Sequence, residues 1–190
     1  MQKLAKKQYT PEEYLALEES AEYKSEYHQG EIFAFAGASA NHNQIVINLV
    51  IEIGSALKNK KCRIYANDMR IWVKSLDIFT YPDLVVICNN PEFYPDRDDT
   101  ITNPLVILEI LSESTQDYDR GRKFLFYRSI PTFQEYILVD QYKSHIEQFY
   151  LDAERKWLLT EYNDINDILK FSKIEFQIPL IDIYNLVEFE

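Results

Sequence analysis

From Pro104 to Ser112 the side chains are aliphatic except for a single carboxylate, Glu109. An apolar run of this length, opened by proline and closed by serine, predicts a strand buried on both faces. Tyr81 to Cys88 repeats the pattern with Asp83 near its start, and Phe133 to Asp140 repeats it again. Between Ser39 and Lys60 the period changes. Ile45, Leu49, Ile53 and Leu57 recur at four-residue steps with Val46 and Val50 beside them, which predicts an amphipathic helix that Ser39 can cap.

Shorter signals fill in the rest. Thr10-Pro11-Glu12-Glu13 predicts a helix start with a capping box, followed by Tyr14, Leu15 and Leu17 on the apolar side. Tyr23 to Ala36 alternates about Gln29-Gly30 as a hairpin does, and Glu26 and Glu31 read there as surface carboxylates. Met69 to Lys74 predicts a strand with Arg70, Trp72 and Lys74 on one face. That face suits either nucleic-acid contact or the outer side of a sheet. Asn89 to Asn103 is polar and acidic, a predicted exposed loop. A helix of roughly Asp119 to Arg128 should turn Phe124 and Tyr127 inward. Ser144 to Tyr150 and Lys156 to Tyr162 alternate as an antiparallel hairpin. A short strand near Ile174 to Phe176 and a helical turn opened by Pro179 close the chain.

Composition narrows the class. The 190 residues are 46% hydrophobic and 14% aromatic, with only 4 Gly and 7 Pro, which fits one globular domain without long linkers. The expected division is 1–38 for an N-terminal helix and hairpin, 39–140 for the core, and 141–190 for C-terminal strands. No apolar run of membrane-spanning length and no signal-peptide pattern follow the basic Lys3, Lys6 and Lys7, so a soluble, cytoplasmic protein is expected. Cys62 and Cys88 lack close Cys or His partners, and neither a zinc site nor a disulfide is predicted. The formal net charge of -11 opposes a broad basic surface of the kind that neutralises phosphates.

The candidate chemistry lies in the apolar strands. A lone carboxylate in a buried strand is costly to ionise unless a cation or donors compensate it. Asp83 and Glu109 on neighbouring strands, with Lys123 on a following helix, are the parts of a metal-dependent phosphodiesterase site. The backbone carbonyl of Ile110 offers a third oxygen. Lys123 has a plainer reading as the partner of Asp119 in a surface ion pair. His42, near a helix N-terminus, has a plainer reading as an exposed histidine. Paired acidic residues alone are a weak signal.

Several short motifs then combine. Thr10-Pro11-Glu12-Glu13-Tyr14-Leu15, Gly30-Glu31-Ile32, Ala38-Ser39 with His42, Pro82-Asp83 and Glu109-Ile110-Leu111-Ser112 occur in that order. Ser114-Thr115, Tyr118-Asp119 with Lys123 and Tyr127, Glu135-Tyr136 and Val139-Asp140 follow. This pattern resembles the PD-(D/E)XK nuclease superfamily and, more narrowly, the bacterial Uma-type family of restriction-endonuclease-like proteins, over almost the whole chain. The resemblance implies an α/β fold with a restriction-endonuclease-like core, a central mixed β-sheet flanked by helices and an additional antiparallel hairpin. It implies a Mg²⁺- or Mn²⁺-dependent endonuclease acting on DNA, with Asp83 and Glu109 as metal ligands and His42 contributing from the first core helix. Where the superfamily carries its catalytic lysine this chain has Leu111, and the family resemblance moves that role to Lys123. A homodimer is expected, since many such nucleases cut two strands with two sites. Two other readings compete: a non-catalytic protein-binding or regulatory module on the same fold, which the net charge favours, and a hydrolase of a smaller phosphorylated substrate.

Overall fold

The computed structural model describes residues 7–34 and 37–189. Lys3 and Lys6, and the Phe35–Ala36 end of the predicted hairpin, lie outside the described residues. In chain order the elements are α1 (Pro11–Glu18), β1 (Ser25–His28), β2 (Glu31–Ala34), α2 (Ala40–Leu57), β3 (Cys62–Ala66), β4 (Arg70–Val73), β5 (Ile78–Thr80), β6 (Leu84–Cys88), β7 (Thr100–Ile101) and β8 (Val106–Leu111). A helical segment follows, made of α3 (Gln116–Tyr118), a π-helical turn (Asp119–Lys123) and α4 (Phe124–Tyr127). The chain closes with β9 (Glu135–Asp140), β10 (Ile146–Leu151), β11 (Trp157–Tyr162), β12 (Ile168–Lys170), β13 (Gln177–Pro179) and α5 (Leu180–Ile183).

Six strands form the central mixed sheet in the order β11-β10-β9-β8-β6-β3. β8 and β9 run parallel, and the other pairs are antiparallel. A parallel pair cannot be closed by a tight turn, so the helical segment between β8 and β9 serves as the crossover. Alternation along each central strand sorts side chains to the two faces. Val106, Leu108 and Ile110 meet α2, Leu84, Val86, Ile137 and Val139 in one core. Ile107 and Leu111 meet Val85, Ile87, Phe124, Tyr127 and Tyr136 in the other. Glu109 shares the second face with Ile107 and Leu111, the face that the crossover covers. A second, five-stranded sheet has the order β2-β1-β5-β4-β7, and β12 pairs with β13 in a separate hairpin. The predicted hairpin of β10 and β11 extends the central sheet at its edge.

Local signals explain most elements. The Thr10 hydroxyl accepts from the Glu13 amide and the Glu13 carboxylate accepts from the Thr10 amide, so the capping box is formed. Ser39 accepts from the His42 amide at 3.1 Å and caps α2. Gln29 and Gly30 both take positive φ in the turn that pairs His28 with Glu31.

Four expectations are corrected. β3 pairs with β6 in a register that sets Cys62 opposite Cys88, their Cα atoms 3.9 Å apart, and the two form a disulfide that sequence separation concealed. Within the predicted loop, Thr100 and Ile101 are fully buried as β7, running parallel to β4. Arg70 is buried rather than displayed, because Asp99 reaches it from the segment leading into β7. The closing strands fall on either side of Ile174 to Phe176 rather than within it.

Candidate active site

Asp83 sits just before β6, and the antiparallel register pairs Leu84 with Leu108. Continuing that ladder by one residue brings Asp83 beside Glu109. The Asp83 amide donates to Glu109 Oε2 at 3.3 Å. The Ile110 amide donates to Asp83 Oδ2 at 2.7 Å. From the first turn of α2, His42 Nε2 lies 3.2 Å from Asp83 Oδ1.

Lys123 arrives from the crossover. Its Nζ lies 2.9 Å from Glu109 Oε1 and donates to the Tyr81 carbonyl at 3.2 Å. Asp119 Oδ1, one helical turn back, is 3.6 Å away. The Tyr127 hydroxyl also donates to Glu109 Oε1, at 3.0 Å. The turn holding Asp119 and Lys123 is π-helical, a local widening often found at functional sites. Here the Tyr136 hydroxyl donates to the Asp119 carbonyl at 3.1 Å. The Asp119–Lys123 pair expected at the surface therefore exists, but it is buried.

Electrostatics follow from burial. Desolvation pushes Glu109 well above the usual carboxylate range; the Lys123 ammonium opposes this, while Asp119 and Asp83 add to it. Burial disfavours a charged lysine, yet Glu109, Asp119 and Glu26 together override it and keep Lys123 an ammonium. Glu26 is also buried, but Lys123 and hydrogen bonds from His28 and Tyr118 hold its carboxyl below the ordinary range.

Asp83, Glu109, Ile110, Asp119, Lys123 and His42 line one cleft of about 690 Å³. Among the described residues, Lys24 is the other lysine in its lining and pairs with Asp68, while Glu113 adds negative charge. Arg70 lies outside the cleft, bound to Asp99 beneath the Tyr81 ring. Sequence reasoning missed Glu26, expected at the surface. It is buried because β1 lies between β2 and β5, a placement that no local pattern announces. Among the described residues, no three His, Cys, Asp or Glu side chains are grouped to hold a metal on their own. No helix among them is long and apolar enough to cross a membrane.

Known proteins show the family and the fold of this chain. A protein designated "Uncharacterized protein sll1609" from Synechocystis sp. (strain ATCC 27184 / PCC 6803 / Kazusa) is 42% identical over 163 residues, covering 86% of this chain and 92% of the relative. A second from the same organism, "Uncharacterized protein slr1290", is 35% identical over 182 residues, covering 95% and 93%. The fold is shared with the crystal structure of "a putative nuclease belonging to DUF820 from Anabaena variabilis ATCC 29413", at a TM-score of 0.77 and 18% identity over 95% of this chain and 99% of that one. Residues 11–180 match the family described as "Uma2: Putative restriction endonuclease", and the chain therefore belongs to the Uma2 family.

Proposed function

We propose that this chain is a divalent-cation-dependent endonuclease that hydrolyses DNA phosphodiester bonds in the Asp83 cleft. The observation that carries the reading is the convergence of Asp83, at the start of β6, and Glu109, on the adjacent β8, with the Lys123 ammonium 2.9 Å from Glu109. Two carboxylates with water completing the shell fit Mg²⁺ or Mn²⁺, which favour hard oxygen donors. Asp83 and Glu109 would hold the ion, with the Ile110 carbonyl as a third oxygen. A bound ion of this kind polarises the phosphate and lowers the pKa of a bound water. The protein supplies the remainder. Ile110 and His42 fix the Asp83 carboxylate, and Tyr127 fixes Glu109. The fixed ammonium of Lys123 offsets negative charge developing on the phosphate. His42 Nδ1 is buried with no hydrogen-bond partner among the described residues.

The acidic lining supports a second reading. Asp68 and Glu113 beside the cleft and a net charge of -11 weaken steering of duplex DNA, so a smaller phosphorylated substrate or a non-catalytic binding role is the rival. Cleavage of supercoiled, linear and single-stranded DNA with Mg²⁺ or Mn²⁺ separates them. Metal-dependent cutting abolished by Asp83→Ala, Glu109→Ala and Lys123→Ala is the expected result. Cutting that persists in all three variants, or none by the wild type, overturns the nuclease reading. The reading includes a homodimer that presents two clefts to two strands, and a monomeric mass by light scattering would remove that part.

A further inference from the structure

Among the described residues, the tyrosines lining the cleft differ in what their rings meet. Lys24 and Arg70 each stand over the Tyr81 ring at 5.6 Å. The Tyr118 ring stacks on His28 and meets Phe126 edge-on. The Tyr142 ring has no aromatic or cationic neighbour among the described residues and is 50% exposed. It is nevertheless held in place. Its own amide donates to Asp140 Oδ1 at 2.8 Å, and its hydroxyl accepts from the Glu113 amide at 3.4 Å. The segments that follow β9 and β8 therefore fix the ring on the cleft wall and leave ring surface open to solvent.

Depth and charge limit what can enter. Glu109 is 2% exposed and Lys123 3%, so the reactive end of the cleft lies below its rim. Among the described residues, five carboxylates line the cleft against the ammonium groups of Lys24 and Lys123, and no arginine does. Duplex DNA is stiff and densely charged. Lowering one of its phosphates to that depth would bring the neighbouring phosphates onto an acidic rim. An unpaired strand bends freely and gains affinity from bases stacked on aromatic side chains as well as from cations. Resting on the reading of the cleft as a DNA phosphodiesterase site, we propose that its substrate is an unpaired DNA strand, with a base beside the scissile phosphate stacked on Tyr142.

The test is fluorescence anisotropy in Ca²⁺, which takes oxygen ligands as Mg²⁺ does. A short labelled DNA strand, the same strand annealed to its complement, and a duplex with an unpaired bubble are titrated with the protein. The strand and the bubble should bind at least about tenfold more tightly than the duplex. Tyr142→Ala should lose about tenfold or more of the affinity for the strand, while Tyr142→Phe, which keeps the ring and loses the hydroxyl, should retain it. A 2-aminopurine base in the strand should be quenched by wild type and by Tyr142→Phe but not by Tyr142→Ala. A duplex bound as tightly as the strand, no binding of either, or unchanged affinity in Tyr142→Ala overturns the proposal. Should Tyr142→Ala fail to fold, the quenching by wild type and Tyr142→Phe decides, and its absence overturns the proposal. Cutting in Mn²⁺ is read separately. A strand that is bound but not cut supports the preference and rejects the nuclease reading, whereas faster cutting of the duplex keeps the nuclease and overturns the preference.

Discussion

The Ile110 amide donates to the Asp83 carboxylate at 2.7 Å, so the strand that carries Glu109 also orients its acidic neighbour. The two carboxylates cannot drift apart without loss of that bond and of the β6–β8 ladder beside it. This pre-organisation places the demand for charge compensation on a fixed spot, and Lys123 meets it.

Replacing Lys123 with alanine should therefore do two things. Removing one partner from a buried ionic cluster destabilises by about 3–5 kcal/mol. Under the proposed function, loss of a positioned charge near the developing negative charge lowers kcat by about 10²–10³. Urea unfolding without metal and single-turnover cleavage measure the two effects; stability within about 1 kcal/mol of wild type would contradict the burial argument.

His42→Ala leaves the cap of α2 intact, because the Ser39 hydroxyl is bound by the backbone amide at 42. Its side chain orients Asp83, and under the proposed function, with Asp83 as a metal ligand, outer partners of this kind affect metal affinity or activity by about 10–100-fold. The expected outcome is a loss of that size in Mn²⁺ affinity or cleavage with Tm almost unchanged. A large drop in Tm would show a structural role instead.

Acid stability should depend on Asp99. Paired hydrogen bonds from Arg97 and the charge of Arg70 hold its carboxyl well below its ordinary value of 3.8. A depressed carboxyl contributes stability above the unfolded value and loses it as pH falls toward the folded one. The wild type should therefore lose stability below about pH 4, and Asp99→Asn should lack that part of the acid limb. At neutral pH the variant leaves Arg70 buried beside a neutral partner, at a cost of about 3 kcal/mol or more. Urea melts across the acid range check both.

Reduction of the Cys62–Cys88 bond reopens a link between residues 26 apart in sequence. By loop-closure entropy this costs about 3–4 kcal/mol. The midpoint of urea unfolding should fall on addition of dithiothreitol, and the Cys62→Ser/Cys88→Ser variant should not respond to it. Such bonds are rare in reducing compartments, so alkylation of freshly lysed cells would also report where the protein resides.

The sequence was most legible where local rules govern. Alternation through Val106 to Leu111 predicts two buried faces, Ser39 is the cap of α2, and Gln29-Gly30 is the turn. The strand bearing Glu109 was recognisable from that lone charge in an apolar run, and β6, which follows Asp83, from its own apolar run. Legibility failed where burial depends on distant pairing. Glu26 is enclosed by the two neighbours of β1, Cys62 meets Cys88 through strand register, and Thr100–Ile101 becomes a strand only beside β4. Arg70 resembled a surface cation because Asp99, which neutralises it, lies 29 residues away.

The parallel pairing of β8 and β9 has a topological corollary. Their connection must pass over one face of the sheet, and that face is the one toward which Glu109 points. A lysine on the inner side of the connection is thus delivered to the carboxylate by topology, without needing a place on the strand. Leu111, two residues after Glu109 on the same face, is buried among Ile107, Phe124 and Leu138. A search that insists on a lysine two residues after the strand glutamate would overlook chains built this way; one that asks which cation the next crossover can lay against that glutamate would find them.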